Sequence, residues 1–209
     1  MPSLKRTDSP FLDVDAKAAL RERKRDAILI EAVRMFNERG YQATSLDDVA
    51  ARLGVSKPVV YHYLGTKEQV LMRCMARGLQ ELQAAFDVAR DEPGTGLDRL
   101  RRYLVGYAQV NMTDFGRCVI RTGDEVLSPE SRAAFRSDKR KIDAQLRALV
   151  TEGVEDGSVV VADVRFATFA IAGALNWPAR WHREDGEQST GEIADKLAAF
   201  LVDGLRPRA

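Results

Sequence analysis

Residues 45–64 read SLDDVAARLGVSKPVVYHYL, and the order of residue types in this stretch decides the fold. Ser45 can cap a helix start, and Asp48 three residues on places negative charge where the helix dipole favours it. The spacing predicts a short helix over Leu46–Leu53, a sharp turn at Gly54 and a second short helix opening at Ser56. Ala50 is small enough to let two crossing helices approach, while Val49, Leu53, Val55 and Val60 are placed to fill a shared core. Ser56 can cap the second helix, and Pro58 in its first turn sacrifices no hydrogen bond. Together these features describe a helix-turn-helix. Its second helix would expose Lys57, Pro58, Val59, Tyr61, His62 and Tyr63, donors and aromatic faces suited to a major groove and its phosphates. The competing reading is an αα-hairpin with the tyrosines in its core.

Upstream, Ile28, Ala32, Met35 and Phe36 recur at helical spacing, and Gly40 ends that helix. Residues 1–20 carry Pro2, Pro10 and scattered charges, the composition of a flexible arm. Downstream, long helices are expected over residues 68–90 and 97–112. Another starts at Ser128-Pro129-Glu130, and two more cover about 164–181 and 192–205. Ser189 and Glu192 form a capping-box pair before the last one. Val159-Val160-Val161 is strand-like but too short to build a sheet. The chain reads as all-α: an arm (1–20), a helix-turn-helix domain (21–67) and a helical domain (68–209).

The 209 residues are 45% hydrophobic and 30% charged, with no apolar run approaching the roughly 18 residues of a membrane span. Met1–Leu20 has no apolar block of the signal-peptide kind. Cys74 and Cys118 lack any CxxC spacing, which excludes a disulfide scaffold and fits a reducing cytoplasm. Residues 1–67 hold 12 Lys/Arg against 9 Asp/Glu, and the remainder 20 against 22, so the slight basic excess lies with the helix-turn-helix. The two histidines, His62 and His182, fit no metal or catalytic constellation, and no phosphate-cradling glycine loop occurs. An α-helical enzyme is therefore disfavoured; no catalytic residue, metal or cofactor is expected.

With the preceding helix and the tail VSKPVVYHYLGTKEQVL, residues 24–71 resemble the DNA-binding domain of the TetR/AcrR family. Leu64 departs from the family pattern, standing where phenylalanine is usual. The resemblance implies that Lys57, Pro58 and Val59 face bases, that Tyr61, His62, Tyr63 and Lys67 contact phosphates, and that Thr44 and Ser45 bond the DNA backbone. The Lys57 ammonium could donate to a guanine edge or equally reach a phosphate; Pro58 and Val59 suit a thymine methyl. Arg21, Arg23, Lys24 and Arg25 could add phosphate or minor-groove contacts, or be a solvated helix face.

The family also implies a homodimer reading two half-sites of double-stranded operator DNA through its two C-terminal helices. The small face Ala167, Ala170, Gly173, Ala174 and the stripe Ile193, Leu197, Phe200, Leu201 suit that interface, or ordinary monomer core. Ser56, at the start of the recognition helix, is counted among the residues that contact this operator. A small apolar or amphipathic effector of the fatty-acid, sterol or acyl-coenzyme A kind would release a repressor of this type. Met75, Tyr103, Tyr107, Phe115, Arg121 and Trp177 are its candidate contacts, several equally readable as plain core. Arg117, Arg121, Arg101 and Arg102 could meet an anionic ligand such as a carboxylate or coenzyme A ester, or simply be solvated. The alternatives are a helix-turn-helix interaction protein or an activator without small-molecule induction.

Overall fold

Caps and glycines set the helix boundaries in the computed structural model, which describes residues 14–207. The order is α1 (Val14–Arg39), α2 (Leu46–Leu53), α3 (Lys57–Leu64), α4 (Lys67–Arg90), α5 (Gly96–Met112), α6 (Asp114–Arg121), a 3-10 turn (Asp124–Val126), α7 (Pro129–Glu155), α8 (Val164–Asn176), α9 (Pro178–Trp181) and α10 (Thr190–Asp203). Ser45, Thr66, Thr95 and Ser189 each form a full capping box with the residue three positions on. Each box satisfies helix-end N–H groups that would otherwise lack partners.

Three expectations are corrected. Residues 14–20, assigned to a flexible arm, form the first turns of α1; the rest of that arm lies outside the described residues. The segment expected as one helix over 164–181 is two, because Pro178 cannot donate an amide back into α8 and starts α9 instead. Helix α6 was not anticipated. Its Thr113 cap, whose hydroxyl accepts from the Gly116 amide, was the available signal, and Gly116 within eight residues obscured it.

Helices α1–α3 form a head, and α4 runs from the head into the larger bundle. There α5 is the central rod, packed by α4, α7, α8 and α10. One hydrophobic cluster is continuous through both parts, from Ile28 and Val33 through Val70 and Met75 to Leu146 and Val202. Helix α6 is wedged between α1, α4, α5 and α9. Arg34 of α1 donates to the Asp114 carboxylate at 2.9 Å, and the Asn37 side-chain amide donates to the Asp114 carbonyl at 2.8 Å. Thus α1 is tied to α6 as well as to α4.

Close approach of α4 to α6 requires Gly78. A β-carbon there would stand 2.7 Å from the Phe115 carbonyl oxygen and 2.8 Å from a Val119 methyl. Backbone cannot yield as a flexible side chain can, so Gly78→Ala should lose about 1–3 kcal/mol of stability. Urea denaturation checks this; an unchanged midpoint would mean that α6 moves freely against α4.

Candidate nucleic-acid interface

The head is built around residues with no solvent exposure to lose. Val49, Ala50, Val60 and Leu64 are buried against Ile28, Ala32 and Phe36. Gly40 and Gly54 adopt φ of +87° and +66°, left-handed conformations that favour glycine, and these turn the chain from α1 to α2 and from α2 to α3. The Val55 amide donates to the Ala50 carbonyl at 3.0 Å, closing the corner. The Val55 side chain itself is exposed rather than in the shared core, because the turn faces it outward.

Burial of Val60 and Leu64, one helical turn apart, fixes the rotation of α3. Lys57, Pro58, Tyr61 and His62 then face solvent, while Val59 and Tyr63 lie on the flank, half-buried against the core. The expectation that all six are exposed is corrected for those two. Ser56 precedes the helix without making a side-chain cap bond, so its hydroxyl is exposed beside the first turn rather than consumed by it. The Lys57 ammonium sits 2.5 Å from the Asp47 carboxylate of α2. That hydrogen bond and charge raise its pKa above the usual lysine value, so it is fully cationic at neutral pH.

A notch of about 340 Å³ opens beside this face, lined by Gln42, Ser45, Asp48, Tyr61, Thr66 and Lys67. Both the α2 and α4 N-termini border it, so two positive dipole ends converge there, with the Ser45, Asp48, Thr66 and Gln69 amides already bonded within their capping boxes. Lys67 donates to the Gln42 carbonyl at 3.3 Å and lies 4.3 Å above the Tyr41 ring. Partial burial lowers its pKa from the usual lysine value. The Ser45 hydroxyl is exposed but already bonded to Asp48 at 2.6 Å.

Thr44 also lines this notch, but with its hydroxyl already engaged. It is buried, and its hydroxyl donates to the Met35 and Gly40 carbonyls, at 3.2 and 2.9 Å. Its side chain closes the α1–α2 turn, so a DNA contact through that hydroxyl would require it to exchange these partners. Arg21 lies 3.3 Å from His62, bridging α1 to the end of α3, and Arg73 donates to the Tyr63 carbonyl at 3.1 Å. Sequence spacing gave no signal for these two braces, which join residues 41 and 10 positions apart.

The remaining candidate residues lie in the bundle. Met75, Tyr103, Tyr107 and Phe115 are buried, whereas Arg121 and Trp177 are exposed. Phe86, Tyr103 and Tyr107 stack edge to face with centroids 5.5 and 5.6 Å apart. The Tyr107 hydroxyl donates to the Asn176 side-chain carbonyl at 3.3 Å, as does the Asn111 amide at 2.9 Å. Burial pushes the Tyr107 phenol up to about 12 and the Tyr103 phenol higher. The Tyr103 hydroxyl and the Asn111 side-chain oxygen are buried without a hydrogen-bond partner among the described residues. Asn176 also lines a pocket of about 460 Å³ with Val119, Ile120, Phe135 and Trp177.

Cys74 and Cys118 are both buried, and burial raises both thiol pKa values. Among the described residues no His/Cys/Asp/Glu group could hold a metal ion, and no helix is long and apolar enough to cross a membrane.

Comparison with known proteins places this geometry. The profile described as bacterial regulatory proteins, tetR family, matches residues 28–74, and that of the tetracyclin repressor-like C-terminal domain matches residues 93–205. The HTH-type transcriptional repressor KstR2 of Rhodococcus jostii is 26% identical, over 95% of this chain and 97% of its own length. The TetR-family regulator PfmR from Thermus thermophilus superposes with a TM-score of 0.77 at 34% identity, over 86% of this chain and 99% of its own. The fold is also that of AibR, solved with isovaleryl coenzyme A and operator DNA, with a TM-score of 0.76 at 23% identity over 89% of this chain and all of AibR. Since the second profile alone spans more than half of the chain, the protein belongs to the TetR family of transcriptional regulators.

Proposed function

We propose that this regulator is a ligand-responsive repressor that binds a palindromic operator as a dimer. The observation that carries the reading is the pairing of an exposed Lys57–Pro58–Tyr61–His62 face with a notch where two helix N-termini and Lys67 converge. The first can enter a major groove, while the second suits a flanking phosphate. Lys57, Pro58 and Val59 are the base-reading residues; Ser45, Ser56, Tyr61, His62, Tyr63 and Lys67 position the backbone. Lys57 must exchange its Asp47 partner for DNA, so Asp47 limits how strongly it grips a wrong sequence.

The dimer reading draws on an aromatic face. Phe166 and Phe169 of α8, Trp177 immediately after it, and Phe200 of α10 are 52–78% exposed. Four large apolar side chains on neighbouring helices suit a second copy of the same face. Ile193 and Ala167, expected at that interface, are buried in the monomer, and Leu197 and Leu201 are half-buried, so Phe200 carries the α10 contribution.

The effector enters, in this reading, by the pocket between α6, α7 and α8, past Trp177 and Asn176 toward Tyr107, Asn111 and Tyr103. Val119, Ile120 and Phe135 line this pocket together with Asp124, Glu125, Lys139 and Arg180, so of the apolar and amphipathic ligands considered (fatty-acid, sterol or acyl-coenzyme A-like) one with a polar or charged end suits it best. A ligand hydroxyl, carbonyl or carboxylate would partner the orphaned Tyr103 hydroxyl, and displaced Met75 and Phe115 would make room for its apolar body. AibR, whose structure holds an acyl-coenzyme A, supports that chemistry. Movement of α6 would reach α1 through Asp114, and binding of effector and of operator would weaken each other by the same factor.

Two experiments follow. Against operator DNA, Lys67→Ala should weaken binding to every sequence and reduce the slope of log affinity against log salt by about 1, whereas Val59→Ala should alter sequence preference. Equal loss of preference from both would contradict the division of labour. In sedimentation, Phe200→Glu should convert a dimer to monomer; an unchanged profile would remove this face from the interface.

A further inference from the structure

A second cleft, of about 580 Å³, lies at the junction of head and bundle. Helix α1 contributes Arg34, Asn37 and Glu38; α6 contributes Asp114, Arg117 and Arg121; α9 and the segment after it contribute residues 180–185. Most of its charges are already matched. Arg34 pairs with Asp114, Arg183 with Asp185, and Glu38 with Arg52. Arg117, Arg121 and Arg180 have no carboxylate partner among the described residues, and Glu184 is the one unmatched acid opposite them.

Arg117 is the telling member. Its Nε is buried without a hydrogen-bond partner, and one terminal nitrogen donates to Nδ1 of His182 at 2.7 Å. His182 is itself 7% exposed, and burial together with the Arg117 charge lowers its pKa. A guanidinium held in a half-buried site by a neutral ring is an incomplete arrangement, since buried charge is normally matched by opposite charge. The missing partner is an anion with several acceptors, which the planar forks of three arginines would bind bidentately. Trp181, about half exposed at the same cleft, offers a flat face for an aromatic base.

We infer that this cleft binds the phosphorylated head of a nucleotide-bearing ligand through Arg117, Arg121 and Arg180, with Trp181 stacking on its base. The inference rests on the reading of the chain as effector-responsive and supplies the chemistry of the effector's polar end. Arg180 lines both this cleft and the pocket beside Trp177, so one molecule can place an apolar tail in the first pocket and its phosphates in the second. Because α1 forms one wall, an occupied cleft holds the head in a fixed relation to α6 and α9. His182 is a positioning residue that aims Arg117 without meeting the ligand.

The test is calorimetry on the full-length protein with two probes, inorganic pyrophosphate and coenzyme A. Both should bind, with coenzyme A the tighter, and Arg121→Gln or Arg180→Gln should weaken each at least tenfold. Arg90→Gln, on exposed α4 surface outside the cleft, should leave both affinities unchanged. Binding of pyrophosphate as tight as that of coenzyme A would overturn the stacking role of Trp181 and leave a plain phosphate site. No binding of either probe at millimolar concentration, or equal binding by the Arg121→Gln/Arg180→Gln double variant, would overturn the site. Operator affinity measured without ligand on the same variants separates the two readings: preserved DNA binding with no probe binding refutes this cleft alone.

Discussion

Everything on the DNA-facing side depends on where Val60 and Leu64 are buried. These two side chains, one turn apart on an eight-residue helix, leave no freedom in its rotation about its own axis. An isolated helix of that length has no stability of its own in water. It exists because Val49, Ala50 and the α1 stripe close over it, and its outward residues are whatever remains. A polar substitution at Val60 would therefore remove the display of Lys57 and Tyr61 without touching either.

The same logic joins the head to the bundle. Helix α4 belongs to both, and the apolar cluster runs through it without a gap. Beside it, α6 touches α1 by the two bonds on Asp114 and touches α4 at Gly78, where backbone and β-carbon would collide. Densely packed interiors shift between discrete arrangements rather than deforming smoothly. Helix α6 is connected to α1 and α4 together, and two pockets flank it.

Much of this was legible in the residues, and the reasons are local. Capping boxes at Ser45 and Ser189, the serine-proline start at Ser128 and the glycines at 40 and 54 each act within a few residues, so their consequences can be read in order along the chain. The long helices follow from apolar periodicity. What escaped depends on distant partners. Thr44 looks like any loop threonine until the Met35 carbonyl arrives beneath it. Val55 has the composition of a core residue but a corner leaves it exposed, whereas Val59, expected to be exposed, lies half-buried on the flank of α3. The cleft around Arg117 is assembled from α1, α6 and α9, far apart in sequence, and its histidine lay outside every motif.

Selection of bound fragments from randomised duplex DNA, followed by footprinting at moderate ionic strength, asks whether the rotation fixed by Val60 and Leu64 presents a reading surface. Enrichment of one inverted repeat, with protection on the same face of the duplex in both halves, is the expected result. Recovery of unenriched sequence with no protected segment would mean that the α3 face does not read DNA.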